Sequence, residues 1–179
     1  INMTLSLLTQ LGIESSFEGN IIKVNPKKNI DKQTVVVESD WSSASYFYSI
    51  IALADIGSEI TLSAYKEESL QGDSCLATIY EHFGVTTTFG KNSITLKKVR
   101  ATKKETLEID LKNAPDIAQT IAVTCFAEEI ACNLTGLHTL KIKETDRLVA
   151  LHDELSNLGA NIAVTDVSLH LEITSKINK

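Results

Sequence analysis

A chain of 179 residues, 43% hydrophobic and 22% charged, has the composition of a globular protein and the length to bury a core. Its net charge of −6 argues against a general nucleic-acid or anionic-membrane binder, so any anion site must be a local device. No apolar run approaches a membrane span and no signal-peptide pattern opens the chain, and Cys75, Cys125 and Cys132 lack CxxC spacing and read as reduced thiols. These features together give the expectation of a cytoplasmic protein.

The elements follow in chain order. "INMTLSLLTQLG" reads as a helix with Leu5, Leu8 and Leu11 on one face, and "IESSFEGNIIKV" as two strands joined by a turn. Because the chain opens already inside a helical pattern, an upstream portion is expected. "TVVVESD" reads as a strand, "WSSASYFYSIIALADIG" as a helix, "EITLSAY" as a strand and "GDSCLATIYEHFG" as a second helix. A hairpin, "VTTTFGKNSITL", closes the series. The same order then recurs: strand "TLEIDLK", helix "DIAQTIAVTCFAEE", strand "IACNLTGL", a helix after Arg147, and the hairpin "NIAVTDVSLHL".

The recurrence is close enough to align without gaps. With Gly12, Gly84 and Gly159 superposed, Phe17, Phe89 and Val164 stand five places on, Ile22, Ile94 and Leu169 ten, and Val24, Leu96 and Leu171 twelve. Each glycine reads as a helix C-cap, where a left-handed conformation is needed. The result is two βαβαββ units preceded by the helix and hairpin that end a third, an α/β (α+β) fold made of duplicated modules. Both helices of a unit follow strands expected to run parallel, so their starts gather at one sheet edge. The four starts are "SDWSSAS", "LQGDS", "APDIAQT" and "KETDRL", each with an aspartate. Gathered helix N-termini make a natural anion site.

"KIKETDRL" crowds five charges into the approach to the last helix. Thr145 and Asp146 suffice to start a helix, whereas Lys143 and Arg147 oppose the positive end of its dipole. An anion that compensates them is therefore expected. Taken alone, Asp40, Asp73 and Asp116 read as helix caps, Trp41 as a packing anchor and His138 as a surface residue. His82, His138, His152 and His170 form no zinc motif, so neither a metal nor another cofactor is expected.

"IKETDRLVALHDELSNLGA" closely resembles the motif of 5-enolpyruvylshikimate-3-phosphate synthases. "VVVESDWSSASYFYSIIAL" resembles that family's domain-crossover segment, and "LQGD" and "NAPDIAQTIAV" follow in the family's order. The resemblance implies an inverse α/β barrel of βαβαββ units, three to a domain, in two domains that close over the substrates. It implies residues 1–37 as the tail of the first domain and 38–179 as two units of the second. The implied reaction moves the enolpyruvyl group of phosphoenolpyruvate to the 5-hydroxyl of shikimate 3-phosphate, releasing phosphate. This is the shikimate-pathway step toward aromatic amino acids.

By the same resemblance, Arg147 holds phosphoenolpyruvate, Lys143 lies near both substrates, Glu144 moves the proton at the methylene carbon, and Asp116 orients or deprotonates the attacking hydroxyl. Thr139 stands where many members carry a substrate-binding Asn. The family's N-terminal basic residues, its Ser-Ser-Gln phosphate site and its C-terminal Arg and Lys have no counterparts here, so the chain alone is expected to be inactive. The apolar face of Leu5, Leu8 and Leu11 lacks its neighbours, so residues 1 to about 33 are expected either to fray or to pair with another chain, while the whole enzyme is expected to be a monomer. The related UDP-N-acetylglucosamine enolpyruvyl transferase has the same architecture and stays open, although the K-E-T-D-R run favours the first assignment. A non-catalytic α/β module also stays open, and it predicts no affinity for phosphate esters.

Overall fold

The computed structural model describes residues 1–29, 31, 32 and 34–173. Helix α1 (Asn2–Gln10) is followed by a hairpin of β1 (Ser15–Glu18) and β2 (Ile21–Val24). No residue of these three elements is buried, and Ile21, Ile22 and Val24 are about half exposed or more. The core lies further along the chain. It begins with α2 (Trp41–Leu53), β3 (Glu59–Ser63), a 3-10 turn at Gly72–Cys75, the short α3 (Leu76–Ile79), β4 (Val85–Gly90) and β5 (Ser93–Lys98). The second series is β6 (Leu107–Asp110), a 3-10 turn at Pro115–Ile117, α4 (Ala118–Ala127), β7 (Cys132–Thr135), a 3-10 turn at Leu140–Ile142, α5 (Arg147–Asn157), β8 (Asn161–Val164) and β9 (Leu169–Glu172). No described helix is long and apolar enough to cross a membrane.

The duplicated hairpins form as the aligned spacings require. Phe17 pairs with Ile22, Phe89 with Ile94 and Val164 with Leu169 across the three turns. Gly12, Gly84 and Gly159 all carry positive φ. At Gly84 a Cβ would meet the Arg100 carbonyl oxygen at 2.0 Å, so both the conformation and the close approach demand glycine.

The second unit is complete: its sheet runs β6-β7-β9-β8, with β6 parallel to β7 and the rest antiparallel. The first unit departs from expectation in two places. Its sheet is three-stranded, β3-β5-β4, because residues 34–40 form no strand. Val35, Val36 and Val37 are 53–81% exposed, and the backbone meets the β3 edge only where Ser39 donates to the Ala64 carbonyl. Valine fits a half-buried pleat; without cover on the valines, propensity alone does not close the ladder. The second helix of that unit is also shorter than its pattern. It winds as 3-10 at Gly72–Cys75, is α-helical for one turn, and returns to i to i−3 bonds at Glu81, His82 and Phe83. Gly72 sits against Asn113 of the second unit, where a Cβ would meet that carbonyl oxygen at 2.1 Å, so packing between units sets the tight winding.

The helices pack on one another and on the sheets. α2 packs on α4 and α4 on α5, and their buried faces (Ala44, Tyr48, Ala118, Ile121, Leu148, Leu151) join a single core with the sheets. Trp41 is 1% exposed, stacked edge-on against Tyr65 at 5.1 Å, and its indole N–H donates to Glu38. It is the anchor its position suggested.

Candidate active-site cleft

Each helix start carries its aspartate, but the four do different work. Asp40 caps α2, accepting from the Ser42 N–H at 3.0 Å, and Asp146 caps α5, accepting from the N–H groups of Leu148 and Val149. Asp73 is not a cap: its carboxylate accepts from the Ser42 hydroxyl of the neighbouring helix. Asp116 is not a cap either. Pro115 opens its 3-10 turn, and the Asp116 side chain is free to accept from Lys143 and Arg147.

Three of these starts, those of α2, α4 and α5, line a cleft of about 580 Å³ whose walls include Asp40, Tyr46, Asp116, Gln119, Glu144 and Arg147. Four of the residues implied by the family resemblance meet in a continuous network there. Lys143 Nζ lies 3.0 and 3.1 Å from the two Asp116 oxygens, and Arg147 Nη1 lies 3.2 Å from Oδ1 of the same carboxylate. Arg147 turns its other edge to Glu144, with Nε at 3.0 Å and Nη2 at 2.7 Å from Oε1. The compensating anions required by Lys143 and Arg147 are thus supplied from within the chain. All four side chains remain partly exposed, from 26% at Arg147 to 68% at Glu144, so an arriving anion can compete for the cations.

The electrostatics follow from these contacts. The Glu144 carboxyl is held below its ordinary pKa, first by a bond from its own backbone N–H and then by Arg147. It is a carboxylate at neutral pH. Asp73 is pushed the other way, chiefly by burial, with Asp116 and Asp40 adding repulsion against the lowering bond from Ser42.

Thr139 is not brought to this cleft. It opens the 3-10 turn before Lys143, and its Oγ1 is enclosed without a hydrogen-bond partner among the described residues. Conversely, the cleft includes Ser42, Ser43, Tyr46 and Gln119, which motif reasoning passed over. Their signal was available: Ser43 and Tyr46 on α2, and Asp116, Gln119 and Thr120 at the start of α4, are spaced three and four apart, one face of each helix start. His138 is exposed, and no group of three or more metal-ligating side chains occurs among the described residues.

The profile of a family described as EPSP synthase (3-phosphoshikimate 1-carboxyvinyltransferase) matches residues 1–178. A 3-phosphoshikimate 1-carboxyvinyltransferase of Bacteroides fragilis is 41% identical over 160 residues, which is 89% of this chain and 38% of that protein. The enzyme of the same name from Neisseria gonorrhoeae is 28% identical over 173 residues, 96% of this chain and 40% of its own length. Among solved structures, EPSP synthase from Acinetobacter baumannii superposes with a TM-score of 0.77 at 22% identity, covering 98% of this chain and 41% of that one, a likeness of fold. The chain therefore spans about two fifths of the length of the relatives it matches.

Proposed function

The chain belongs to the EPSP synthase (3-phosphoshikimate 1-carboxyvinyltransferase) family, and from that membership we propose that it forms one wall of an enolpyruvyl-transfer site. The substrates are phosphoenolpyruvate and shikimate 3-phosphate, and the enzyme works in the cytoplasm without a cofactor. Residues 1–37 belong with one domain and 38–179 with the next. The observation that carries this reading is the Lys143–Asp116–Arg147–Glu144 network at the meeting of the helix starts.

The chemistry uses each type of group present. Arg147 offers a planar fork suited to a phosphate or carboxylate, and Lys143 a compact point charge beside it. Asp116 takes the hydrogen bond, and then the proton, of the attacking 5-hydroxyl. Glu144 delivers a proton to the methylene carbon, making the adjacent enol carbon electrophilic. After the C–O bond forms, loss of a proton from the same methyl carbon expels phosphate and restores the carbon–carbon double bond, now as an enol ether of the 5-hydroxyl. Glu144 is ionised in the free protein, so its proton is acquired during the cycle. A substrate anion that occupies Arg147 removes one of the two contacts that keep Glu144 acidic, and its proton affinity rises. Thr139 contributes only indirectly, by opening the turn that delivers Lys143.

Binding and phosphate release test the reading. The enzyme carrying this chain should release phosphate from phosphoenolpyruvate only when shikimate 3-phosphate is present. The 179-residue chain alone should bind both compounds weakly and release none, because its two cleft cations are already neutralised by its own acids. An enzyme that instead accepts UDP-N-acetylglucosamine, or binds no phosphate ester, overturns the assignment.

A further inference from the structure

Gln119 differs from every other polar residue of the cleft wall. Its side chain lines the cleft, yet the enclosed atom of its amide, Oε1, has no hydrogen-bond partner among the described residues. Three of its neighbours are already engaged. Asp40 accepts from Ser42 and Ser43, Asp116 from Lys143 and Arg147, and the Thr120 hydroxyl donates to the Ile117 carbonyl at 2.9 Å. An enclosed acceptor left unpaired is costly, and few native side chains keep one without a purpose. Meeting a ligand would give this oxygen its first hydrogen bond, and the terminal torsion of a Gln side chain is soft enough to re-aim the amide.

Position supplies the rest. Gln119 follows Asp116 by three residues, across the join from the Pro115–Ile117 turn into α4, so the two side chains share a face with about 5–6 Å between Cβ atoms. A charged acceptor and a neutral acceptor stand side by side. That pair suits two adjacent hydroxyls of a ring, one to be deprotonated and one only to be held.

Resting on the proposed enolpyruvyl-transfer reading, we propose that Gln119 is a specificity-determining residue: its amide oxygen accepts a hydrogen bond from the ring hydroxyl next to the one that Asp116 activates, and so selects a vicinal diol. The amide is neutral, so this contact discriminates the polyol without adding to phosphate affinity. A site built to hold a hydroxyl rejects the analogue lacking it, because the acceptor is then left unpaired.

The test uses the enzyme carrying this chain and measures binding of shikimate 3-phosphate and of its 4-deoxy analogue by calorimetry. The wild type should bind the parent about tenfold more tightly than the deoxy compound. Gln119→Met, of similar length and without the acceptor, should erase that ratio while leaving the KM for phosphoenolpyruvate unchanged. Gln119→Glu keeps an acceptor oxygen and should retain the preference even where overall affinity falls. An unchanged ratio in Gln119→Met overturns the inference and leaves the enolpyruvyl-transfer reading standing. A wild-type enzyme that binds neither compound overturns that reading and this inference with it.

Discussion

The two ends of the helix layer obey the same electrostatic rule and reach opposite outcomes. At the cleft end, aspartates meet the positive ends of the helix dipoles, and the extra cations Lys143 and Arg147 pair with Asp116 and Glu144 in half-exposed contacts. At the far end, the last residue of β5 and the stretch that follows it supply cations to the negative ends. Lys98, 4% exposed, donates at 2.5 Å to the Ala52 carbonyl near the end of α2 and at 2.7 Å to the Phe83 carbonyl beyond α3. Its ammonium also lies 3.6 Å from Glu128, the C-cap of α4, and Arg100 and Lys104 donate to the carbonyls of Glu81 and Glu128. The far end is closed and satisfied by the chain itself, so it is structural. The cleft end pairs its charges where water reaches them, so they can be exchanged for a ligand.

The sharpest way to break this comparison is Glu144→Gln. If the cleft end carries chemistry, turnover should fall by about 10²–10⁴, measured as steady-state phosphate release, while the thermal midpoint barely moves. Near wild-type turnover would mean that the proton passes through another group. Lys98→Met is the mirror experiment. It leaves two helix-end carbonyls without their buried cation and should cost about 3 kcal/mol in chemical denaturation. Ligand affinity should be retained at temperatures where the variant is folded; a loss of affinity with no loss of stability would erase the distinction between the ends.

A smaller effect is expected from Arg147→Ala, which should raise the KM for phosphoenolpyruvate about tenfold and lower turnover less than Glu144→Gln does. Weak anion binding by the 179-residue chain should also decline as salt rises toward about 1 M, where screening acts within a few ångströms. The smallest effect concerns Asp73. Burial raises its folded pKa, so its ionised form costs stability above that pKa, and the cost disappears as pH falls toward the ordinary carboxylate value. Asp73→Asn should therefore raise the unfolding midpoint slightly at neutral pH, with the gain vanishing in acid. A gain that persists in acid would assign the effect to packing.

Legibility in the sequence followed the range of the forces. The cap glycines and hairpin partners were readable because a positive φ and a two-residue alternation are local, and Gly84 and the Phe89–Ile94 pair took the places their spacing assigns. The strand expected over 34–40 was not formed, since a strand needs cover for its side chains as well as β-branched residues. Asp73 and Asp116 read as caps because a helix start usually uses its aspartate on its own backbone. Here Ser42, Lys143 and Arg147, 27 to 31 positions away, compete for those carboxylates and win.

By itself the sequence determined the repeated α/β unit and the family, because each is written in spacing and motif. Only the tertiary structure decided that Lys143 and Arg147 share one aspartate, Asp116 of another helix start. It also decided that Thr139 stays out of the cleft while Gln119 lines it, its amide oxygen enclosed and without a partner among the described residues. The physical reason is that hydrogen bonds and ion pairs act over about 3 Å, and which groups come that close depends on how separate helices pack.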